Sequence, residues 1–100
     1  MPDNSYPDFS VVVPNWNGAH FLRRGLGSLY LSARAANRPF EIVLVDDASD
    51  DASVSLIKEE FPSVRLLVNS ENSGFGKTAN RGVQESRGSL IVLCNNDLIV

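Results

Sequence analysis

One hundred residues, 43% of them hydrophobic and 21% charged, make one small globular domain. A net charge of −3 excludes nucleic acid as the main partner, because a phosphate backbone is met by a basic face. The single cysteine, Cys94, excludes an internal disulfide.

Residues 1–8 read as a loose leader. The opening MPDNSYPDFS has neither a basic n-region nor an apolar h-region, so it is not a signal peptide. No apolar run approaches the ~20 residues that span a bilayer, and a cytoplasmic setting is expected. Phe9 to Pro14, FSVVVP, is a β-rich apolar run ended by proline, which fits a buried strand. Asn17-Gly18 signals a turn. Phe21, Leu22, Gly25, Leu26, Leu29, Tyr30 and Ala33 then fall on one face of a helix that Asn37 to Pro39 break.

Phe40 to Val45 is a second strand. Ser49 or Asp50 can cap a second helix with Val54, Ile57 and Phe61 inward, and Pro62 stops it. Val64 to Val68 is a third strand. Asn69 to Gly76 is a polar loop, and Phe75, Ala79 and Val83 mark a third helix that ends near Arg87-Gly88. Leu90 to Cys94 is the fourth strand. The pattern is β-α-β-α-β-α-β. Its short, unalternating Val/Ile/Leu strands predict a Rossmann-like three-layer α/β/α fold with a mainly parallel sheet. The chain stops in an apolar run, Leu98-Ile99-Val100, and reads as truncated at the C-terminus, with an exposed sheet edge through which copies could pair.

Ligands of open parallel sheets bind outside the carboxyl ends of the strands. At those four ends the sequence puts Asn15-Trp16-Asn17, Asp46-Asp47, the Asn69 to Gly76 loop and Asn95-Asn96-Asp97. Asp50 and Asp51 are assigned to the first turn of the second helix, where negative charge favours the dipole by about 0.3–1 kcal/mol each. Asp46 and Asp47 precede it at the strand mouth, where at least one is expected to meet a ligand and one to brace the loop. Asp97, flanked by amides, suits a sparse hard-cation site, since Mg²⁺ fills its shell with water and phosphate; an Asx turn is the competing reading. Gly76-Lys77-Thr78 matches the end of a P-loop, but Glu71 stands where its first glycine is required, so a Walker A site is rejected. Trp16, the one tryptophan, is either a core anchor or a flat surface for a base.

Four stretches, in order and spacing, resemble the nucleotide-sugar-binding half of the family 2 glycosyltransferases with the GT-A fold: VVVPNWNG, VDDASDD, NSGFGKTANRG and LCNND. The last two look most like the rhamnosyltransferase-like branch. The resemblance spans Phe9 to Val100 and implies roles. Asp47 would hold the base of the donor through its ring N–H, with Asp46 beside it. Trp16 would lie against the base and Pro14 would shape the pocket. Gly76 and Asn80 would frame the donor site. Asp97, with Asn96 beside it, would bind Mn²⁺ or Mg²⁺ bridging the diphosphate.

The family's sheet order sets strand one between strands two and four. Asp47 and Asp97 would then lie roughly 10 Å apart, two strand spacings, about the reach from base to diphosphate. The implied reaction moves a sugar from a UDP- or dTDP-type donor to an acceptor glycan or lipid-linked saccharide. It would be inverting and serve polysaccharide synthesis, with the parent enzyme peripheral at the inner face of the membrane. The general base is expected past Val100, leaving the chain unable to turn over alone. The rival is a phosphoacceptor receiver domain, with paired acids after a strand and a later Asp. A full βα unit precedes Asp46, however, and the glycine-rich loop has no job there.

Overall fold

A computed structural model describes residues 6–94. The elements follow as β1 (Phe9–Asn15), α1 (Ala19–Ala35), β2 (Phe40–Asp46), α2 (Ser53–Glu60), β3 (Arg65–Val68), α3 (Phe75–Glu85) and β4 (Leu90–Leu93). The strands form one parallel sheet in the order β3-β2-β1-β4, with β1 between β2 and β4. The α/β class, the parallel sheet and the alternating order stand as the apolar runs predict. The register sets Asn15 beside Asp46 and Asp46 beside Val68, so three strands end level.

Each strand shows one side chain in two to each face of the sheet. Val11 and Val13 of β1 and Ile42 and Leu44 of β2 join Leu22 and Leu26 of α1 and Ile57 of α2 in one apolar core. Val12 and Val45 meet α3 on the opposite face. The helical contacts there come from small residues, since Thr78, Ala79 and Gly82 are the buried positions of α3. The expected Phe75–Ala79–Val83 face is corrected on this point: Phe75 and Val83 are exposed. A bulky face would hold the helix away from the sheet, whereas Gly82 lets it settle onto Val12. In α1 the buried residues are Leu22, Gly25, Leu26 and Ala33, while Phe21 and Tyr30 lie exposed at the margins of the predicted face.

The turns explain the boundaries. Asn17 takes a left-handed φ of 51°, and the Gly18 carbonyl accepts from the Phe21 and Leu22 amides to start α1. Asn37, at φ 56°, ends it with its N–H on the Arg34 carbonyl. Asp50 and Asp51 do not lie in the first turn of α2, and neither Ser49 nor Asp50 is its cap; the helix begins at Ser53. Asp51 instead accepts from the Ser53 amide at 2.9 Å and the Ala19 amide at 3.1 Å, tying the starts of two helices together. Burial pushes its carboxyl up, but the donors from Ser53 and Ala19 outweigh that and hold it below the ordinary range.

Candidate functional site

The level carboxyl ends of β1, β2 and β3 bring two buried carboxylates side by side, and each organises a different loop. Asp46 is fully buried. Its Oδ1 accepts from Asn15 Nδ2 at 2.9 Å and from the Ser49 hydroxyl at 2.7 Å, and its Oδ2 from the Ser49 amide at 2.8 Å. Ser49 Oγ accepts in turn from the Asn17 amide at 2.9 Å. Ala48, at φ 60°, provides the left-handed step that turns the Ser49 N–H back to Asp46. Asp46 thus staples the turn after β1 to the turn after β2.

Asp47 is 4% exposed and reaches the other way. Its Oδ1 accepts from Asn69 Nδ2 at 2.8 Å and the Ser73 amide at 2.7 Å, and its Oδ2 from the Gly74 amide at 2.9 Å. Burial pushes this carboxyl up, but hydrogen bonds from Asn69, Ser73, Gly74 and Thr78 outweigh it and hold it below the usual carboxylate range. Asn69 also donates to Thr78 Oγ1 at 3.0 Å and accepts from Arg81 at 2.8 Å. Gly74 sits at φ 92°, which only glycine adopts readily, and Phe75 opens α3 directly after it.

These loops enclose an open pocket of about 290 Å³. Pro14, Trp16 and Asp47 line it, as do Asn72, Gly74, Phe75 and Thr78. Trp16 and Phe75 are each 58% exposed, so Trp16 is not a core anchor. Of the residues singled out from sequence, Pro14, Trp16 and Asp47 come together here. Asp46 does not line the pocket and acts as a staple behind it. Gly76 and Asn80 lie exposed on α3, outside the lining. Asn96 and Asp97 lie outside the described residues. Sequence reasoning put the Asn69 to Gly76 loop at this end without singling out Asn69, Asn72 or Phe75, and it missed Thr78 in the lining and Arg81 behind it. The signal for Asn69 was its place at the end of β3, level with Asp46.

Among the described residues no three His, Cys, Asp or Glu side chains gather as a metal site. Asp46 and Asp47 do not fit a cation either, because N–H and O–H donors already point hydrogens at their oxygens. No helix among the described residues is long and apolar enough to cross a membrane.

The model of glycosyl transferase family 2 matches residues 10–100. The chain belongs to this family. It is 32% identical over 97 residues to the glycosyltransferase YibD of Escherichia coli, covering 94% of this chain and 27% of that protein. It is 33% identical over 93 residues to an undecaprenyl-phosphate 4-deoxy-4-formamido-L-arabinose transferase of Pseudomonas paraeruginosa, covering 89% of this chain and 27% of that one. The crystal structure of Staphylococcus aureus TarS in complex with UDP superposes with a TM-score of 0.76 at 25% identity, over 90% of this chain and 27% of that one. The mannosyltransferase PcManGT of Pyrobaculum calidifontis, in complex with GDP-Man and Mn²⁺, superposes at 0.73 with 27% identity, over 97% of this chain and 30% of that one. The chain therefore spans a little over a quarter of the length of these relatives. The family places the acidic pair in a transferase fold rather than a receiver domain.

Proposed function

We propose that residues 9–100 form the donor-binding part of an enzyme that moves a sugar from a nucleoside-diphosphate sugar, of the UDP or dTDP type, to an acceptor hydroxyl. The carrying observation is the pocket at the strand ends, where an exposed tryptophan, an exposed phenylalanine and a buried carboxylate meet in a family 2 chain. Trp16 gives the base a flat apolar surface, and Pro14 lines the pocket with it. Asp47 Oδ1 already accepts two hydrogen bonds, so Oδ2 is the oxygen for a ring N–H of the base. Gly76 and Asn80 belong to this reading as the far frame of the donor site, on the exposed side of α3.

Asp97, with Asn96 beside it, is proposed to hold Mn²⁺ or Mg²⁺. When bound, the cation supplies positive charge that stabilises the leaving diphosphate. A TarS complex with UDP and a PcManGT complex with GDP-Man and Mn²⁺ support a nucleotide donor and a divalent ion here. An inverting transfer also needs a general base at the acceptor hydroxyl. Asp47, the one carboxylate among the described residues lining the pocket, is held by its donors and is not that base. A relative named as an undecaprenyl-phosphate transferase supports a lipid-linked acceptor.

Thermal shift with UDP, dTDP, GDP and CMP, each with Mn²⁺ and with EDTA, tests the reading. Ligand at a hundredfold excess over its Kd stabilises by about 2.7 kcal/mol. A Mn²⁺-dependent shift with UDP or dTDP that Asp97→Ala abolishes is expected. No shift with any of the four sinks it.

A further inference from the structure

Phe75 is a large apolar side chain left 58% exposed on the first residue of α3. A single exposed aromatic needs no explanation. Phe75 differs in three respects. It shares its pocket with Trp16, exposed to the same degree. It is held firmly, since the preceding Gly74 is fixed by its amide on Asp47 Oδ2 and the Thr78 amide closes on the Gly74 carbonyl at 3.1 Å. It is not among the residues that α3 buries, which are Thr78, Ala79 and Gly82. An aromatic that the fold orients but does not bury is suited to a planar ligand.

We propose, on the donor-binding reading above, that Phe75 is a second base-contacting aromatic of the pocket, acting together with Trp16. The donor's base would take apolar contact from both residues, while its ring N–H meets Asp47 beneath. Asp47 then has two functions: its carboxylate faces the base and, by holding Gly74, it positions Phe75.

The sole tryptophan lies in the pocket, so its fluorescence reports occupancy directly. Wild-type chain, Phe75→Ala and Phe75→Tyr are titrated with UDP, UMP and GDP in Mn²⁺. Alanine is expected to weaken UDP and UMP by the same factor, about tenfold, as loss of one stacking partner does. Tyrosine is expected to stay within about threefold of wild type, since it keeps the ring. Because Phe75 is exposed, both variants are expected to keep the wild-type melting temperature. Phe75→Ala binding UDP as wild type overturns the inference and leaves the donor reading standing. So does a loss confined to UDP, which would place Phe75 at the diphosphate. Wild-type chain that binds no nucleotide overturns the donor reading, and this inference with it.

Discussion

The side-chain amide of Asn69 donates to the Asp47 carboxylate at 2.8 Å, joining the end of β3 to the end of β2. With the Ser73 and Gly74 amides on the same carboxylate, the loop before α3 takes its shape from one buried charge rather than from regular structure. Asp47→Ala is expected to cost about 2–3 kcal/mol, because hydrogen bonds to a charged group are strong and removing the acceptor leaves donors unpaired. Asn69→Ala removes one donor and leaves the backbone bonds, so about 1 kcal/mol is expected. Urea denaturation measures both, and equal losses from the two variants would mean that the carboxylate is not the centre of the loop.

Asp47 and Asp51 both have folded-state carboxyl groups below their ordinary values. Their contribution to stability is therefore complete above the unfolded pKa, about 3.9, and fades as pH falls through the lower folded value. The melting temperature is expected to be flat with respect to these groups from pH 7 to about 5 and to drop below about 4. In Asp47→Asn the low-pH drop is expected to be shallower, since that group no longer takes up a proton. A drop of unchanged depth would assign the acid sensitivity elsewhere.

The strands were legible because Val/Ile/Leu runs such as SVVV and IVLV mark chain buried on both faces, as β1 and β2 are, while the sheet order came from the family resemblance rather than from the runs. The pair Asp46-Asp47 was legible as a strand mouth, yet their division of labour was not. Which neighbour turns its amides toward each carboxylate depends on Ala48 and Gly74, two backbone steps at positive φ, and for Ala48 no residue type announces that. Counting apolar residues along α3 picked Phe75 and Val83, whereas the sheet selects side chains small enough for close approach. The exposure of Phe75 follows from that same packing, so it could not be read until Gly82 was seen against Val12. Asp51 was misplaced for a simpler reason: an acid at a helix start stabilises from outside the helix as well as from its first turn, and sequence does not separate the two.

Gly82 and Gly27 are expected to respond oppositely to alanine. A Cβ on Gly82 would lie 2.4 Å from Val12 Cγ1 and 3.1 Å from Val45 Cγ2, both on stiff side chains in the core. Overpacking of this kind costs about 1–3 kcal/mol, which exceeds the helix-propensity gain of about 1 kcal/mol. At Gly27 of α1 a Cβ meets nothing within 4 Å, so only the gain remains and Gly27→Ala is expected to stabilise by about 0.5–1 kcal/mol. Chemical denaturation of the two single variants decides this. Stabilisation by Gly82→Ala would show that α3 does not rest on the sheet through that residue.

Gly88 controls where the start of β4 lies against β1. Its amide donates to Ser10 Oγ at 2.8 Å, the Ser10 hydroxyl donates to Glu41 at 2.6 Å, and the Arg87 amide donates to the same Glu41 oxygen at 2.6 Å. A Cβ on Gly88 would fall 2.5 Å from the Phe9 carbonyl carbon and 2.6 Å from the Ser10 nitrogen, atoms of a backbone fixed in the sheet. Gly88→Ala must therefore push the start of β4 off β1, at an expected cost of about 3 kcal/mol. On the reading proposed above, the metal-holding residues follow β4 in the chain, whereas Trp16, Asp47 and Phe75 lie on or beside other elements. UDP binding in Mn²⁺ is accordingly expected to fall toward its EDTA value, while UMP binding, measured by Trp16 fluorescence well below the melting temperature, changes little. A variant that loses UMP and UDP alike would show that β4 and the base pocket are one cooperative unit.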